Sequence, residues 1–328
     1  MNILVSGGAG YIGSHVVRQL GEAGHTVTIL DNLSTGFRES ILYGDLVEGD
    51  TGDRELVSAV LRERKIDTVM HFAAHIVVPE SVVDPLKYYG NNTCCTRNLL
   101  ECCQREGVNR FVFSSTAAVY GIPECTTTID ESVSTAPINP YGRSKLMTEW
   151  MLQDLAAASD MGYVILRYFN VAGADPECRI GQSTPEATHL IKVACEVITG
   201  KREQISIFGT DYDTPDGTCI RDYIHVEDLA SAHLMALEYL GNGGASNTFN
   251  CGYGHGSSVR EVLTAVERVS GQKLPIVESP RRAGDPPALS ADSTRIREQL
   301  GWRPRYDDLD RIVESALKWE EVLRRRGR

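Results

Sequence analysis

The 328-residue sequence has no uninterrupted apolar run of 18 residues, so nothing in it reads as a membrane-spanning helix. It has no basic excess either. Its 33 Lys and Arg stand against 44 Asp and Glu, a net charge of −11, which argues against a nucleic-acid partner. The one basic run, Arg324-Arg325-Arg326 with Arg328, falls at the end of the chain and reads as a solvated tail. The strand-like Asn2-Ile3-Leu4-Val5 comes first, without a basic stretch and apolar core before it; no secretory signal is expected, and the expected location is cytoplasmic. The nine cysteines are odd in number and contain no C-x-x-C, so neither a disulfide framework nor a zinc site is expected. They read as reduced, small apolar residues. His71, His75, His189 and His225 show no ligand spacing, and no metal is expected.

What the chain does contain is ordinary for a globular enzyme: 42% hydrophobic and 23% charged residues, enough for one large or two moderate domains. Strand-length apolar runs alternate with helical segments. Strands are expected at Ile3–Val5, Thr26–Leu30, Leu46-Val47, Thr68–Phe72, Arg110–Ser114 and Tyr163–Tyr168. Helices are expected at Ile12–Ala23, Asp53–Arg64, Pro85 to about Arg105, and from Asn139-Pro140 onward. The rhythm predicts an α/β fold, a doubly wound parallel sheet with helices on both faces. After about Asn170 it breaks, and loops such as "TDYDTPDGT" (Thr210–Thr218) lengthen. A dinucleotide-binding domain over 1–170 and a smaller α/β lobe over 171–328 are expected, with some later segments returning to the first domain.

The first chemical motif is "SGGAGYIGSH". Gly7, Gly10 and Gly13 follow a strand and enter a helix, where bare backbone can approach a pyrophosphate seated on the helix N-terminus. A second strand comes next and ends in Asp31, 18 residues past Gly13. A carboxylate there accepts hydrogen bonds from ribose hydroxyls and repels a 2′-phosphate, so NAD is expected rather than NADP. Asp50, at another strand end, is placed to meet the adenine.

The second motif is "NPYGRSK". Asn139 reads as an N-cap and Pro140 as the first helical residue. Tyr141 and Lys145 then share a face one turn apart. A free phenol, with a pKa of ~10, is a poor base. A nearby ammonium and a cationic nicotinamide ring both favour the phenolate. Upstream, "FVFSSTAAVYG" ends a strand in Ser114, Ser115 and Thr116, and strand ends of this architecture face the ligand crevice. Hydroxyl, tyrosine and lysine behind a dinucleotide fingerprint form a proton-transfer set beside a hydride acceptor.

With these motifs together, the sequence resembles the extended short-chain dehydrogenase/reductase superfamily, and within it the UDP-glucose 4-epimerase family. "LDNLSTG", "HFAA" and "SSTAAVYG" are shared widely; "LRYFNVAGA", "RDYIHVEDLA" and "RRAGDPPAL" are similar to the epimerase branch. The resemblance implies a Rossmann domain holding NAD and a small C-terminal lobe holding a UDP-sugar. It implies cofactor contacts from Gly7, Gly10, Tyr11, Ile12, Gly13, Asp31, Asn32, Asp50, Thr51, Phe72, Ala73, Ala74, Asn91, Ser114, Tyr141, Lys145 and Tyr168. It implies substrate contacts from Thr116, Tyr141, Asn170, His189, Leu190, Ile205, Phe208, Arg221, Arg282, Asp285 and Leu289, with Thr116, Tyr141 and Lys145 catalytic, and a homodimer. Arg221 and Arg282 offer forks suited to a diphosphate. Four positions depart from the common pattern: Ile76 replaces a frequent lysine, Thr116 a frequent serine, His189 a frequent asparagine, and Leu289 a frequent bulky tyrosine that the resemblance puts beside the sugar's 2-position, so activity on the N-acetylated UDP-hexosamines is also expected.

The implied reaction is redox-neutral. The sugar 4-hydroxyl loses its proton to Tyr141, hydride leaves C4, and the 4-keto sugar turns over while UDP stays anchored. Two other readings are open. A nucleotide-sugar 4,6-dehydratase shares fold and cofactor but carries an acid beside the Ser/Thr, where this chain has Ala117 and Ala118. A non-catalytic dinucleotide sensor on the same fold usually lacks the Tyr/Lys pair.

Overall fold

A computed structural model describes residues 1–123, 128–282 and 285–327. Cys125, Ala283 and Gly284 of the "RRAGDPPAL" run, and Arg328, lie outside the described residues. Seven parallel strands form the main sheet in the order 247–251, 162–168, 110–114, 68–71, 2–6, 26–31, 45–48. Successive side chains of a strand point to opposite faces. In the first strand Ile3 and Val5 enter one apolar layer and Leu4 the other. Helices cover both faces, which is why these strands read as continuous apolar runs rather than alternating ones. The helices Tyr11–Glu22 and Val226–Gly241 bury Val16, Val17, Leu20, Leu229 and Leu237 in the first layer. The helices Arg54–Glu63, Thr96–Glu106 and Pro140–Ala158 bury Val57, Leu61, Leu99 and Leu152 in the second.

From strand 2–6 the chain builds outward first to one side and then to the other. The crevice between the carboxyl ends of 2–6 and 68–71 is therefore the switch point where such sheets bind ligands. The glycine loop leaves one of these strand ends, and Phe72 to Ala74 leave the other.

Helix starts form where the sequence placed caps. Asp53 accepts from the N–H groups of Glu55 and Leu56, and Asn139 accepts from Gly142 N at 2.8 Å. One expected helix differs. The segment from Pro85 is not a single α-helix: Pro85–Tyr88 and Thr96–Glu106 flank a π-helical stretch, Tyr89–Cys95. Asn92 explains it. Its side chain accepts from His75 N at 2.8 Å and donates to His75 O at 2.9 Å, and its carbonyl accepts from Thr96 Oγ1 at 2.7 Å. The Thr96 hydroxyl thus competes for a carbonyl of the regular ladder, while the two bonds to His75 pin the widened turn to the neighbouring loop.

The second half does not stay separate. Residues 226–251 return to add a helix and the edge strand 247–251 to the main sheet. Conversely, the short strand Thr128–Ile129 joins a four-stranded sheet ordered 257–258, 220–221, 288–291, 128–129. That small sheet carries Arg221 and Leu289 beside the carboxyl edge of the main one.

Candidate active site

At the glycine loop, Gly10 begins the helix Tyr11–Glu22 without a side-chain cap, which leaves the first N–H groups of that helix for a ligand. Close packing holds the loop in shape. A Cβ on Gly13 would lie 2.2 Å from Gly7 O and 2.9 Å from Gly8 Cα. On Gly10 it would meet only Gly7 O, at 3.3 Å, so the outer surface of the loop is bare. Asp31 is buried at its strand end, where Oδ2 accepts from Ala9 N and Oδ1 from Leu33 N, both at 2.9 Å. Asn32 donates to Asp50 Oδ2 at 3.0 Å, so this pair meets at the second and third strand ends. Thr51 is buried beside them. Phe72 packs its ring 4.7 Å from that of His233, and Ala73 N donates to Ser6 O at 3.1 Å. Asn91 lies on the π-helical stretch and donates to Asn92 Oδ1. Tyr11 ties the glycine loop to the second half by donating to Gly173 O at 2.6 Å. A bare loop, an uncapped helix start and a carboxylate at the next strand end suit a dinucleotide with free ribose hydroxyls.

The residues expected to transfer the proton lie at the end of the neighbouring strand 110–114. Lys145 is buried and donates from Nζ to Ser114 O at 2.9 Å. The Tyr168 hydroxyl hydrogen-bonds Ser114 Oγ at 2.8 Å. Thr116 caps the short 3-10 turn Ala117–Tyr120 by accepting from Ala118 N at 3.1 Å. Gly142 permits the helix start to press on that turn, since a Cβ there would lie 2.6 Å from Ala118 O. Tyr141 and Thr116 are thereby brought together.

The electrostatics differ from the sequence expectation in one respect. Burial raises the Tyr141 phenol above its usual value, and its hydrogen bond with Thr116 works in the other direction. Burial pulls the Lys145 ammonium down to about 7, opposed by the charge of Glu149. Desolvation is the largest influence on both groups.

On the facing side, Asn170 N donates to Asp222 O at 3.0 Å, and Arg221 runs in register with Leu289. Arg221 donates to Pro286 O at 2.8 Å and lies 3.5 Å from Asp285. Arg282 stacks its guanidinium 3.8 Å from the centre of the Phe208 ring. Leu289 packs against the cluster of Ala117, Val119, Tyr120, Ile129 and Leu146. Three positions lie apart from these groupings. Ile205 is buried with Ile207 in the main core, while Ser206 and Phe208 carry the outer face of that strand. Leu190 packs against the same core. His189 bonds to Gln182 Nε2 at 2.7 Å and lines a small cavity with Lys192, Trp319 and Glu320.

Sequence reading missed the polar layer beneath the site. Glu149 does not pair with Lys145 but forms a buried ion pair with Arg167 and accepts from Ser115. The available signal was Arg167 itself, a lone charge inside the apolar strand "YVILRYF", which burial permits only with a partner. Among the described residues, no group of three or more His, Cys, Asp or Glu could hold a metal ion. Nor is any helix long and apolar enough to cross a membrane.

The chain is 60% identical over 322 residues to a UDP-glucose 4-epimerase of Azospirillum brasilense, covering 98% of this chain and 92% of that one. It superimposes with a TM-score of 0.94 on the UDP-glucose 4-epimerase of Brucella ovis in complex with NAD, at 44% identity and 97% coverage of each chain. The UDP-Glc/GlcNAc 4-epimerase of Campylobacter jejuni gives a TM-score of 0.86 at 52% identity, over 98% of this chain and 99% of that one. Residues 3–252 match the NAD dependent epimerase/dehydratase family, and the chain belongs to it.

Proposed function

We propose that this protein is an NAD-dependent UDP-hexose 4-epimerase that interconverts UDP-glucose and UDP-galactose. What supports this reading is Lys145 bonded to Ser114 O and Tyr141 beside Thr116 at the end of strand 110–114, with Leu289, in register with Arg221, packed on the neighbouring Ala117 and Leu146. Ala117 and Ala118, in place of an acid, disfavour the dehydratase alternative. The retained Tyr/Lys pair disfavours a silent sensor.

The glycine loop, Asp31, Asn32 and Asp50 would hold NAD. When bound, NAD accepts the C4 hydride and returns it. Tyr141 takes the proton of the 4-hydroxyl and later gives it back, so that with the hydride also returned neither protons nor electrons are gained or lost. Thr116 orients the hydroxyl between sugar and phenol. Lys145 places a cation in the same buried space and favours the phenolate. Arg221 and Arg282 hold the diphosphate, with Asn170 beside them. Anchoring through the diphosphate leaves the sugar free to turn, which presentation of both faces of C4 requires. By this reading residues 1–170 mainly serve the dinucleotide and 171–328 the UDP-sugar.

Leu289 extends the substrate range. Many family members carry tyrosine there, and a half-buried leucine leaves more room beside the sugar. The enzyme accordingly also interconverts UDP-N-acetylglucosamine and UDP-N-acetylgalactosamine; the Campylobacter jejuni relative is named for activity on UDP-Glc and UDP-GlcNAc. We also propose a cytoplasmic homodimer. Its support is exposed apolar surface on neighbouring helices: Val82, Val83, Leu86 and Trp150, the last 51% exposed.

Absorbance tests the reading cheaply. Purified protein carrying nicotinamide should show partial reduction of the cofactor when a UDP-hexose is added, and the signal should depend on the sugar. No spectral response to either sugar by cofactor-loaded protein would count for a sensor.

A further inference from the structure

We propose that Glu149, clamped by Arg167, is a positioning residue for proton transfer: it fixes Ser115, and through it Ser114 and Thr116, and it supplies the buried negative charge that faces Lys145. The inference rests on the epimerase reading and deepens it.

Glu149 is fully buried one helical turn beyond Lys145, on the same face of the helix Pro140–Ala158. Ser115 Oγ donates to Glu149 Oε1 at 2.5 Å. Arg167 grips the carboxylate with two nitrogens: Nε lies 3.1 and 3.2 Å from the two oxygens, and Nη2 lies 2.5 Å from Oε2. Arg167 Nη1 donates onward to the Tyr120 hydroxyl at 3.0 Å, Tyr120 to Asn250 Oδ1 at 2.7 Å, and Asn250 to Ile129 O at 2.8 Å. This chain of bonds spans the catalytic helix, the loop after strand 110–114, strand 162–168 and the edge strand 247–251. Ser115 is bracketed by Ser114, whose carbonyl takes the Lys145 proton bond, and Thr116, the partner of Tyr141. A rigid carboxylate at Ser115 therefore sets the spacing of both groups that meet the reacting pair. A forked, buried arginine pair is well suited to this because its geometry is fixed in two directions.

The charges around Lys145 lead to the same residue. Lys145 faces His71 on strand 68–71, which burial holds neutral at about 3, with the Lys145 charge adding to the fall. It faces Tyr141 on its own helix, and Phe113 beneath it, 5.0 Å from Nζ to the ring centre. Tyr168, on strand 162–168, is held protonated by burial. Tyr163 and Arg167 lie beyond, around Glu149 itself. Within this set, Glu149 is the anion that opposes the desolvation of Lys145. Removing it lowers the proton affinity of every neighbouring group, and of the Lys145–Tyr141 pair as a unit.

The test compares Glu149→Gln, Glu149→Asp and Ser115→Ala with wild type. In Glu149→Gln, both limbs of the kcat–pH profile should move to lower pH by about one unit, a ~10-fold change in protonation ratio. Carbon NMR of Lys145 Cε should show its titration midpoint falling equally, with or without cofactor. Glu149→Asp, which keeps the charge, should restore the position of the profile. Folded Glu149→Gln protein with an unmoved profile and midpoint would overturn the proposal, as would a Glu149→Asp profile shifted as far as that of Glu149→Gln. If Glu149→Gln fails to fold because Arg167 is left unpaired, Ser115→Ala decides. A kcat loss of about tenfold with unchanged KM and an unmoved profile supports the positioning role, and wild-type kcat refutes it. Wild type that epimerises nothing would sink the functional reading, and the Lys145 titration would then test this inference alone.

Discussion

Replacing Gly13 with alanine sets two physical effects against each other. Gly13 is the third residue of the helix Tyr11–Glu22, where alanine is favoured over glycine by about 1 kcal/mol of helix propensity. Packing opposes this. The added Cβ would sit 2.2 Å from Gly7 O and 2.9 Å from Gly8 Cα. Both are backbone atoms, so no side chain can swing aside. Relief requires the glycine loop to move by about 1 Å, and overpacking of this kind costs about 1–3 kcal/mol, which outweighs the propensity gain. The displaced loop is the one proposed to cradle the pyrophosphate, and errors of about 1 Å can cost ~100-fold where geometry matters. Differential scanning of the cofactor-free protein should therefore show a lower unfolding temperature. Calorimetric titration with NAD should show affinity at least ~10-fold weaker. A higher unfolding temperature with unchanged NAD affinity would refute the argument, because propensity would then have won and the loop would not be close-packed.

Tyr141→Phe keeps the buried ring and removes the ionisable oxygen, so fold and NAD affinity should persist while turnover falls at least ~100-fold; near-wild-type turnover of the pure variant would end the assignment of Tyr141 as base. Stripped protein reconstituted with NADP should recover far less activity than with NAD, because the Asp31 carboxylate repels a 2′-phosphate; equal recovery would count against Asp31. Leu289→Tyr should suppress turnover of the N-acetylated UDP-hexosamines more than that of UDP-galactose, read as the ratio of kcat/KM values. Wild type inactive on both N-acetylated sugars would sink the open-pocket idea.

Much of this was legible in the sequence because it is local. The doubly wound sheet announces itself through apolar strand runs, and Asn139 and Asp53 cap the helices that their chemistry predicts. The glycine loop, Tyr141 and Lys145 are short-range patterns with fixed offsets. What escaped is long-range or competitive. A return of later segments is expected from the sequence, but which segment returns is not legible: the placement of residues 226–251 depends on helix 226–241 finding helix 11–22, and the crossing of Thr128–Ile129 depends on a two-residue strand. The π-helical stretch at 89–95 coincides with long-range anchoring of Asn92 to His75, 17 residues away, and with Thr96 Oγ1 bonding to the Asn92 carbonyl, neither of which the 3.6-residue pattern shows. Spacing puts Glu149 one turn from Lys145, but its ion-pair partner is the guanidinium of Arg167, which comes from a different element and grips both oxygens. Burial, which cannot be weighed from spacing, is also what turns the Lys145 ammonium toward about 7.

The most direct measurement is incubation of the purified, NAD-loaded protein with UDP-galactose, without added reductant or oxidant, followed by separation and identification of the sugar nucleotides. The account predicts accumulation of UDP-glucose to a constant ratio, the same ratio when the reaction starts from UDP-glucose, and no net change in cofactor redox state. Recovery of UDP-galactose alone, or formation of a dehydrated 4-keto-6-deoxy sugar nucleotide, would contradict it.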